Sequence, residues 1–548
     1  MQGDDALRAY LNAEADLVLS EATDPAASVS VERLRWGCAL SILYDLLAAG
    51  GSVYPLDSEL YASWPDWHLP EGRDLVRRAL RAVEPTRRLT AAETRGIGAM
   101  IAPDMASDEL ARFMAEASFW LEPVSALHPS GLDYSTAFAV GLRYWTMPYR
   151  GRSGRSRRFV IVGQTSWSTA PLVIGLIEIG DEAPYSNERD HLLVLQPAAF
   201  CEWFSQLADR RGVARELASV MRRLRESVLP VEGFQVSERL EDVLASEVAI
   251  QARAAGRSQS HVGHQDKKRL AYVLRLAHGE QAFRALANGA LLTATDPSLR
   301  EGIRAVHDLM VPRVHMEATI CGALPPFSKA LGGKLVVSFL AHPEVLGSTK
   351  GAPGEIVKSL FDVSRIESLL PGTGMLALTT KGLYPGHSAL YNRATVPGAD
   401  GREIALRKLG ETRGESTMLV RERTARLAQR VAERARETGR VALVYGTGGS
   451  KRMRFLESAA IECGLPQRIV HAGIKRPVYG MRFVSNLPEV VWRGAHPDWL
   501  VDPTASAEEY SRRATQLWRS RWGARALTIA TSHPSPIAGL ISLSGQDD

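Results

Sequence analysis

ICGALPPFSKALGGKLVVSFLAH, residues 320–342, passes from an apolar run through two prolines to Gly332, Gly333 and Lys334, and then into a second apolar run. This order predicts a strand or buried helix, a turn, and a helix near the glycine pair. Free N–H groups at a helix N-terminus bind phosphate, whereas glycines inside a helix allow close packing. Both interpretations of the glycine pair stay open from the residues alone.

The segment does not match an ATP-binding P-loop. Ser328 stands where that pattern has its first glycine, and Leu335 replaces the Ser or Thr that holds magnesium. A second glycine-rich turn, VYGTGGSKRMR at 444–454, departs from the pattern because Ser450 precedes the lysine. Between a predicted strand and a predicted helix, it indicates either an anion site or a solvated basic turn. Its basic residues are Lys451, Arg452 and Arg454.

Length and composition describe an ordinary globular protein. The chain has 548 residues, 45% hydrophobic and 23% charged, which predicts about three or four domains. It contains no apolar run of about 18 residues, and its N-terminus is acidic and amphipathic, so we expect a cytoplasmic protein with no membrane partner. The four cysteines stand far apart, which predicts neither disulfides nor a cysteine-rich zinc site.

Basic residues gather in one glycine- and serine-rich stretch, RGRSGRSRR at 150–158. The net charge of +5 is compatible with a nucleic-acid partner without requiring one. Arginines on such a loop pair with phosphates of DNA or RNA in a salt-sensitive way, and a solvated loop is the alternative. The candidate nucleic-acid contacts are Arg150, Arg152, Arg155, Arg157 and Arg158.

The segment YPGHSALYNR, residues 384–393, carries groups capable of acid–base chemistry. His387 is a candidate base, Tyr391 a candidate acid, and Asn392 and Arg393 are candidate ligand-binding residues. A turn that packs its tyrosine is the alternative.

Two further clusters were considered as metal or acid–base sites, with exposed polar loops as the alternative. One comprises His261, His264 and Asp266, and the other comprises Glu178, Asp181, Glu188 and Asp190. No metal site is predicted, and the chain lacks both the GxSxG elbow of hydrolases and the GxGxxG dinucleotide turn.

The periodicity of apolar residues predicts a mixed α+β protein. Ser107 is expected to cap a helix, FVIVGQ and PLVIGLIEIGD to form a hairpin, REIALRKLGETRG (402–414) to form one strand, and 418–440 to form a helix. The predicted organisation has four parts. These are a helical N-terminal unit at 1–130, a discontinuous α/β core at 131–190 and 313–500, a helical insertion at 191–312, and a C-terminal tail at 501–548.

Several segments, in order, resemble the DruA proteins of Druantia anti-phage defence systems, which also occur alone and beside transposase-like genes. They lie between about 144 and 480. This chain has Phe327 and Ser328 where Tyr or Phe and Asn, respectively, are usual in the family, and it carries an unusually long helical insertion. The segments are YWTMPYRGRSGRSRRFVIV, LVIGLIEIGDEAPYSNERD, ATICGALPPFSKALGGKLV, LTTKGLYPGHSALYNR, LGETRG, VYGTGGSKRMRFL and HAGIKRPVYG.

The resemblance implies a defence component with DNA or RNA and other Druantia proteins, including a large helicase-like protein, as partners. The element order also looks like that of GNAT acyltransferases. This analogy implies a GNAT-like mixed-sheet core, with acyl-CoA pyrophosphate near Gly332–Lys334 and Tyr391 as the acid, although the Q/R-x-x-G-x-G/A pattern is missing. Four functions stay open: binding without catalysis, acyl transfer to nucleic acid, transposase-associated processing, and a nuclease.

Overall fold

The computed structural model describes residues 105–129, 133–141, 156–180, 186–231, 239–254, 264–347, 360–365, 374–382, 390–412, 422–437, 451–463 and 476–532, with single gaps at 169, 329 and 363, and parts of 34–42. Helices surround a mixed β-sheet in these ranges, so the prediction of a mixed α/β protein is confirmed. No helix in the described ranges is both long enough and apolar enough to cross a bilayer.

Nine strands are described: β1 (Ser118–Pro123), β2 (Ser156–Gln164), β3 (Leu172–Gly180), β4 (His315–Ala323), β5 (Ala377–Lys381), β6 (Thr395–Pro397), β7 (Glu403–Ala405), β8 (Arg407–Glu411) and β9 (Pro477–Arg482). Seven of them form one sheet in the order β1-β2-β3-β4-β5-β9-β8, while β6 and β7 form a separate pair. Neighbours in the large sheet are antiparallel, except that β4 and β5 run parallel. The predicted hairpin is confirmed as β2 and β3, whose β-branched runs suit a buried sheet.

The helices lie before, between and after these strands. They are α1 (Ser107–Glu116), α2 (Tyr134–Gly141), α3 (Asn187–Leu192), α4 (Pro197–Ser205), α5 (Arg210–Glu226), α6 (Leu240–Ala245), α7 (Glu247–Ala254), α8 (His264–Ala287), α9 (Pro297–Val314), α10 (Gly332–Ser338), α11 (Pro343–Gly347), α12 (Glu422–Glu437), α13 (Lys451–Glu462), α14 (Leu487–Arg493), α15 (Ala507–Trp518) and α16 (Ala524–Ser532). One π-helical turn, Arg519–Gly523, joins α15 to α16.

The two faces of the large sheet bury different partners. On one face, α1, α10, α15 and α16 share an apolar core with side chains such as Ile177, Leu378 and Trp518. On the other face, α3, α4, α5, α8, α9 and α14 form a second apolar cluster, and α2 covers a third one over β2 and β3. Because strand side chains alternate in direction, each central strand supplies residues to both faces.

Five local predictions need correction. Ala106, not Ser107, is the N-cap of α1, and the cap makes no side-chain hydrogen bond. REIALRKLGETRG forms two strands in different sheets because buried Leu406 separates β7 from β8. The predicted polar loop ends at His264, where α8 begins, and Asp266 pairs with Arg269 at 2.8 Å in the first turn of that helix.

The helix predicted within 328–342 is confined to Gly332–Ser338. Residues 507–532, inside the segment expected to be a tail, form helices whose side chains join the core. The proposed four-part division into domains stays a prediction.

Candidate functional site

The residues predicted to bind a ligand lie close together on one face of the sheet. Lys334 on α10 reaches the turn that carries Tyr391, Asn392 and Arg393, although the two segments are far apart in sequence. His387, His261, Asp181, Arg150, Arg152 and Arg155 lie outside the described residues. Lys451, Arg452 and Arg454 occupy the start of α13, and only their helical backbone is described.

The glycine pair at the start of α10 packs closely against its surroundings. The N–H of Gly332 donates to the Phe327 carbonyl at 2.9 Å, and the N–H of Lys334 donates to the Leu331 carbonyl at 2.9 Å. A Cβ at Gly332 would meet the Phe327 carbonyl oxygen at 2.6 Å, and one at Gly333 would meet Leu390 at 2.5 Å. This geometry supports the packing interpretation, because two of the N–H groups that would bind a phosphate are already used.

The side chain of Lys334 is buried beside an aromatic ring. Its residue is 7% exposed, its ammonium donates to the carbonyl of Asn392, and the nitrogen lies 4.8 Å from the centroid of the Trp522 ring. Burial, followed by the nearby charges of Arg521, Arg393 and Arg525, lowers the pKa of Lys334 to about 8. A lysine held among three arginines carries a repulsion that a bound anion would relieve.

The three arginines come from two different segments. Arg393 is exposed and has a left-handed backbone (φ 59°) between the buried residues Tyr391 and Ala394. Arg521 lies in the π-helical turn, where it pairs with Glu403 and donates to the Thr395 hydroxyl at 3.1 Å. Arg525 is exposed in the first turn of α16. Single π-helical turns occur frequently at functional sites.

We refer to Lys334, Arg393, Arg521, Arg525 and Trp522 as the basic cluster. It joins four cations to one aromatic ring, with Glu403 as the carboxylate that pairs with Arg521. The sequence analysis missed Arg521, Trp522 and Arg525. The pattern RSRWGAR at 519–525, in which basic residues alternate with an aromatic one, was the available signal.

Tyr391 has a different environment from the one expected of a proton donor. It is 5% exposed, its hydroxyl donates to the Cys321 carbonyl at 3.3 Å, and it accepts a bond from the Thr380 hydroxyl at 3.2 Å. Burial raises the pKa of Tyr391 far above its ordinary value. The geometry thus corresponds to the packed-tyrosine alternative, while the roles that the GNAT analogy implies for Gly332–Lys334 and Tyr391 stay predictions.

The opposite face of the sheet carries a row of polar side chains, some buried and some partly exposed, which we name the polar seam: Arg158, Glu178, Thr319, Glu317, Lys381, Thr379 and His315. Glu178 is fully buried and binds Arg158 at 2.6 Å and Thr319 at 3.0 Å. Glu317 binds Lys381 at 2.9 Å. The seam therefore places Arg158, a predicted phosphate contact, in an ion pair within the protein.

The predicted acidic cluster does not assemble in the described part of the chain. Asp190 lies on α3 and binds His307 of α9 at 3.1 Å, while Glu178 belongs to the seam. Burial opposes protonation of His307, but its hydrogen bonds to the carboxylates of Asp190 and Asp308 raise its pKa above the ordinary value. Among the described residues, no group of three or more His, Cys, Asp or Glu side chains has the arrangement of a metal site.

Comparisons with known proteins concern mainly the second half of the chain. Residues 303–492 match the family model described as Druantia protein DruA. The Druantia protein DruA of Escherichia coli (strain UMEA 4076-1) is 25% identical over 207 residues, which cover 37% of this chain and 47% of that protein. The match thus spans about half the length of the curated relative. No solved structure matches the chain. The predicted resemblance to the DruA family is confirmed.

Proposed function

We propose, from the DruA assignment of residues 303–492, that this protein is a component of a Druantia-type anti-phage defence system and binds nucleic acid there. The DruA match suggests the defence role, and the other proteins of such a system are its proposed partners. The nucleic-acid role is supported by the basic cluster, which includes Lys334 at the start of α10.

The basic cluster has the chemistry of a phosphate-binding surface. Arginine guanidinium groups bind phosphate oxygens in pairs, and Arg393 and Arg525 expose theirs to solvent. Lys334 cannot swing freely because it is held between the Asn392 carbonyl and the Trp522 ring. A preorganised group of like charges binds a polyanion with less loss of side-chain entropy than flexible surface lysines do.

The binding measurement compares wild type with the double variant Arg393→Gln/Arg525→Gln on a fluorescent DNA duplex and a single-stranded RNA. Each lost phosphate contact reduces the slope of log affinity against log salt by about 0.9 on duplex DNA. The double variant is therefore expected to lose about 1.8 from the slope, which makes its affinity roughly 12-fold less sensitive to a change from 50 to 200 mM salt.

The matched control is Arg112→Gln/Arg512→Gln, which removes two exposed arginines that pair with Glu116 and Glu509. This control should retain the wild-type slope. Absence of nucleic-acid binding by the wild type, or equal slopes for wild type and the double variant, would refute the proposal.

A further inference from the structure

The helix α5 has an uneven distribution of charge. It contains six arginines and two glutamates within Arg210–Glu226. Arg225 is buried and pairs with Glu280 at 3.0 Å, so it serves the interior of the protein. Arg211, Arg215 and Arg222 are exposed. Most of the charge of this helix is therefore presented to solvent.

Three of the five exposed arginines of α5, Arg211, Arg215 and Arg222, form one line along the helix. At about 100° per residue they lie within roughly 40° of each other, on the side away from the buried apolar residues. At about 1.5 Å per residue the line is roughly 16 Å long, the rise of about five nucleotides of one DNA strand. We name these residues the arginine stripe.

Few internal partners neutralise the stripe. Arg222 lies 3.9 Å from Glu226, and Arg215 donates weakly to the Arg211 carbonyl at 3.4 Å. Within the described ranges, no carboxylate forms an ion pair with Arg211 or Arg215. Glu216, the other acid of the helix, is engaged by Arg493 at 2.9 Å on a different side. The stripe thus keeps its positive charge.

A second line of exposed arginines, on α12 of the same protein, has a partner for each arginine. Arg426, Arg430 and Arg434 are exposed at intervals of four residues on α12. Arg430 lies 4.0 Å from Glu433, and Arg426 and Arg434 each interact with a partner within the protein. The spacing of arginines alone therefore does not distinguish the stripe. What distinguishes it is that, within the described ranges, two of its three arginines, Arg211 and Arg215, form no ion pair.

We propose that the arginine stripe of α5 is a second contact surface for the phosphate backbone of double-stranded nucleic acid, which deepens and rests on the proposed nucleic-acid binding. Regular spacing along one line suits a regular polyanion. In the described part of the chain, none of the exposed large apolar side chains belongs to α5, whereas a protein or membrane partner would favour an apolar patch. The helical segment 191–312 would then contribute directly to nucleic-acid binding.

The test measures duplex DNA binding against salt for wild type and for Arg211→Gln/Arg215→Gln/Arg222→Gln. The stripe variant is expected to lose about 2.7 from the salt slope, which corresponds to roughly 40-fold less change in affinity between 50 and 200 mM salt. Arg426→Gln/Arg430→Gln/Arg434→Gln removes the same charge from α12 and should retain the wild-type slope. Far-ultraviolet circular dichroism and the melting temperature verify that each variant is folded.

The outcomes separate the two proposals. If the wild type binds and the Arg393→Gln/Arg525→Gln variant is weakened while the stripe variant matches wild type, the stripe inference alone is overturned. Equal losses in the stripe and α12 variants would also overturn it, since net charge would then explain the effect. If wild type binds no duplex but binds vesicles of anionic phosphatidylserine through the stripe, both proposals fail.

Discussion

The buried ion pair between Glu317 and Lys381 gives the sharpest test of the energetics of this fold. Their side chains are 2% and 12% exposed, and the Nζ–Oε1 distance is 2.9 Å. Replacing Lys381 by Met keeps most of the side-chain volume but leaves a carboxylate on the sheet face without this cation. Breaking one side of a buried pair costs about 3–5 kcal/mol. We expect Lys381→Met to lower the free energy of unfolding in urea by that amount.

A control and a rescue make this prediction specific. Arg512→Met removes one partner of an exposed pair with Glu509, whose side chains are 62% and 43% exposed, and should cost less than about 1 kcal/mol. Glu317→Leu/Lys381→Met removes both buried charges and should recover most of the loss, because a buried pair and an apolar pair of similar volume are often comparable in stability.

The loss in Lys381→Met should also depend on pH. A buried carboxylate that has lost its lysine partner takes up a proton more readily than the same group in the unfolded chain, so the native state of the variant binds more protons. The free energy of unfolding of the variant relative to wild type should therefore be closer to zero at pH 5 than at pH 8. A loss below about 1 kcal/mol, or a loss equal at both pH values, would contradict the assignment of a buried pair.

Two further predictions concern α10. Because the pKa of Lys334 is lowered to about 8, the unfolded chain binds more protons above that pH than the native state does. The free energy of unfolding should therefore rise from pH 8 towards 10. Nucleic-acid affinity should fall over the same range, because the ammonium charge is lost. Lys334→Met should remove both pH dependences in urea unfolding and in binding titrations, and their persistence would contradict the lysine's role. Gly332→Ala should lower the melting temperature more than Gly333→Ala. The new methyl group would meet the Phe327 carbonyl oxygen at 2.6 Å in the first variant, but the end of the flexible Leu390 side chain at 2.5 Å in the second. Equal melting temperatures would contradict the close packing of Gly332.

Local patterns predicted the strands better than the positions of the site residues. β-branched runs identified β2 and β3, and the apolar run before the two prolines became β4. Alternation of side chains within a sheet has a period of two and can be read locally. Contacts between Lys334 and Trp522 depend on how distant segments pack, which no local period contains.

The C-terminal helices illustrate a signal that was present but not used. Ser506 accepts a hydrogen bond from the N–H of Glu509 at 3.1 Å, and the sequence SAEE has the Ser-x-x-Glu spacing of a capping box. Tyr510 and Trp518, at helical spacing after this cap, are buried in the core. A helix with one apolar side after a capping signal predicts packing against the domain, but it does not predict which surface the helix covers.

β4 and the turn that follows it contribute both to the stability of the fold and to the proposed binding site. β4 supplies Glu317 to the polar seam on one face of the sheet, while the turn after it places Lys334 in the basic cluster on the other face. Alternation of side chains along the strand keeps the two sets of charges on opposite sides. Substitutions in the seam should therefore change the free energy of unfolding without changing the salt slope of nucleic-acid binding. Substitutions of the exposed arginines of the basic cluster should change the salt slope without changing the free energy of unfolding. A seam variant that stays folded yet loses the salt dependence would show that the two faces act as one site.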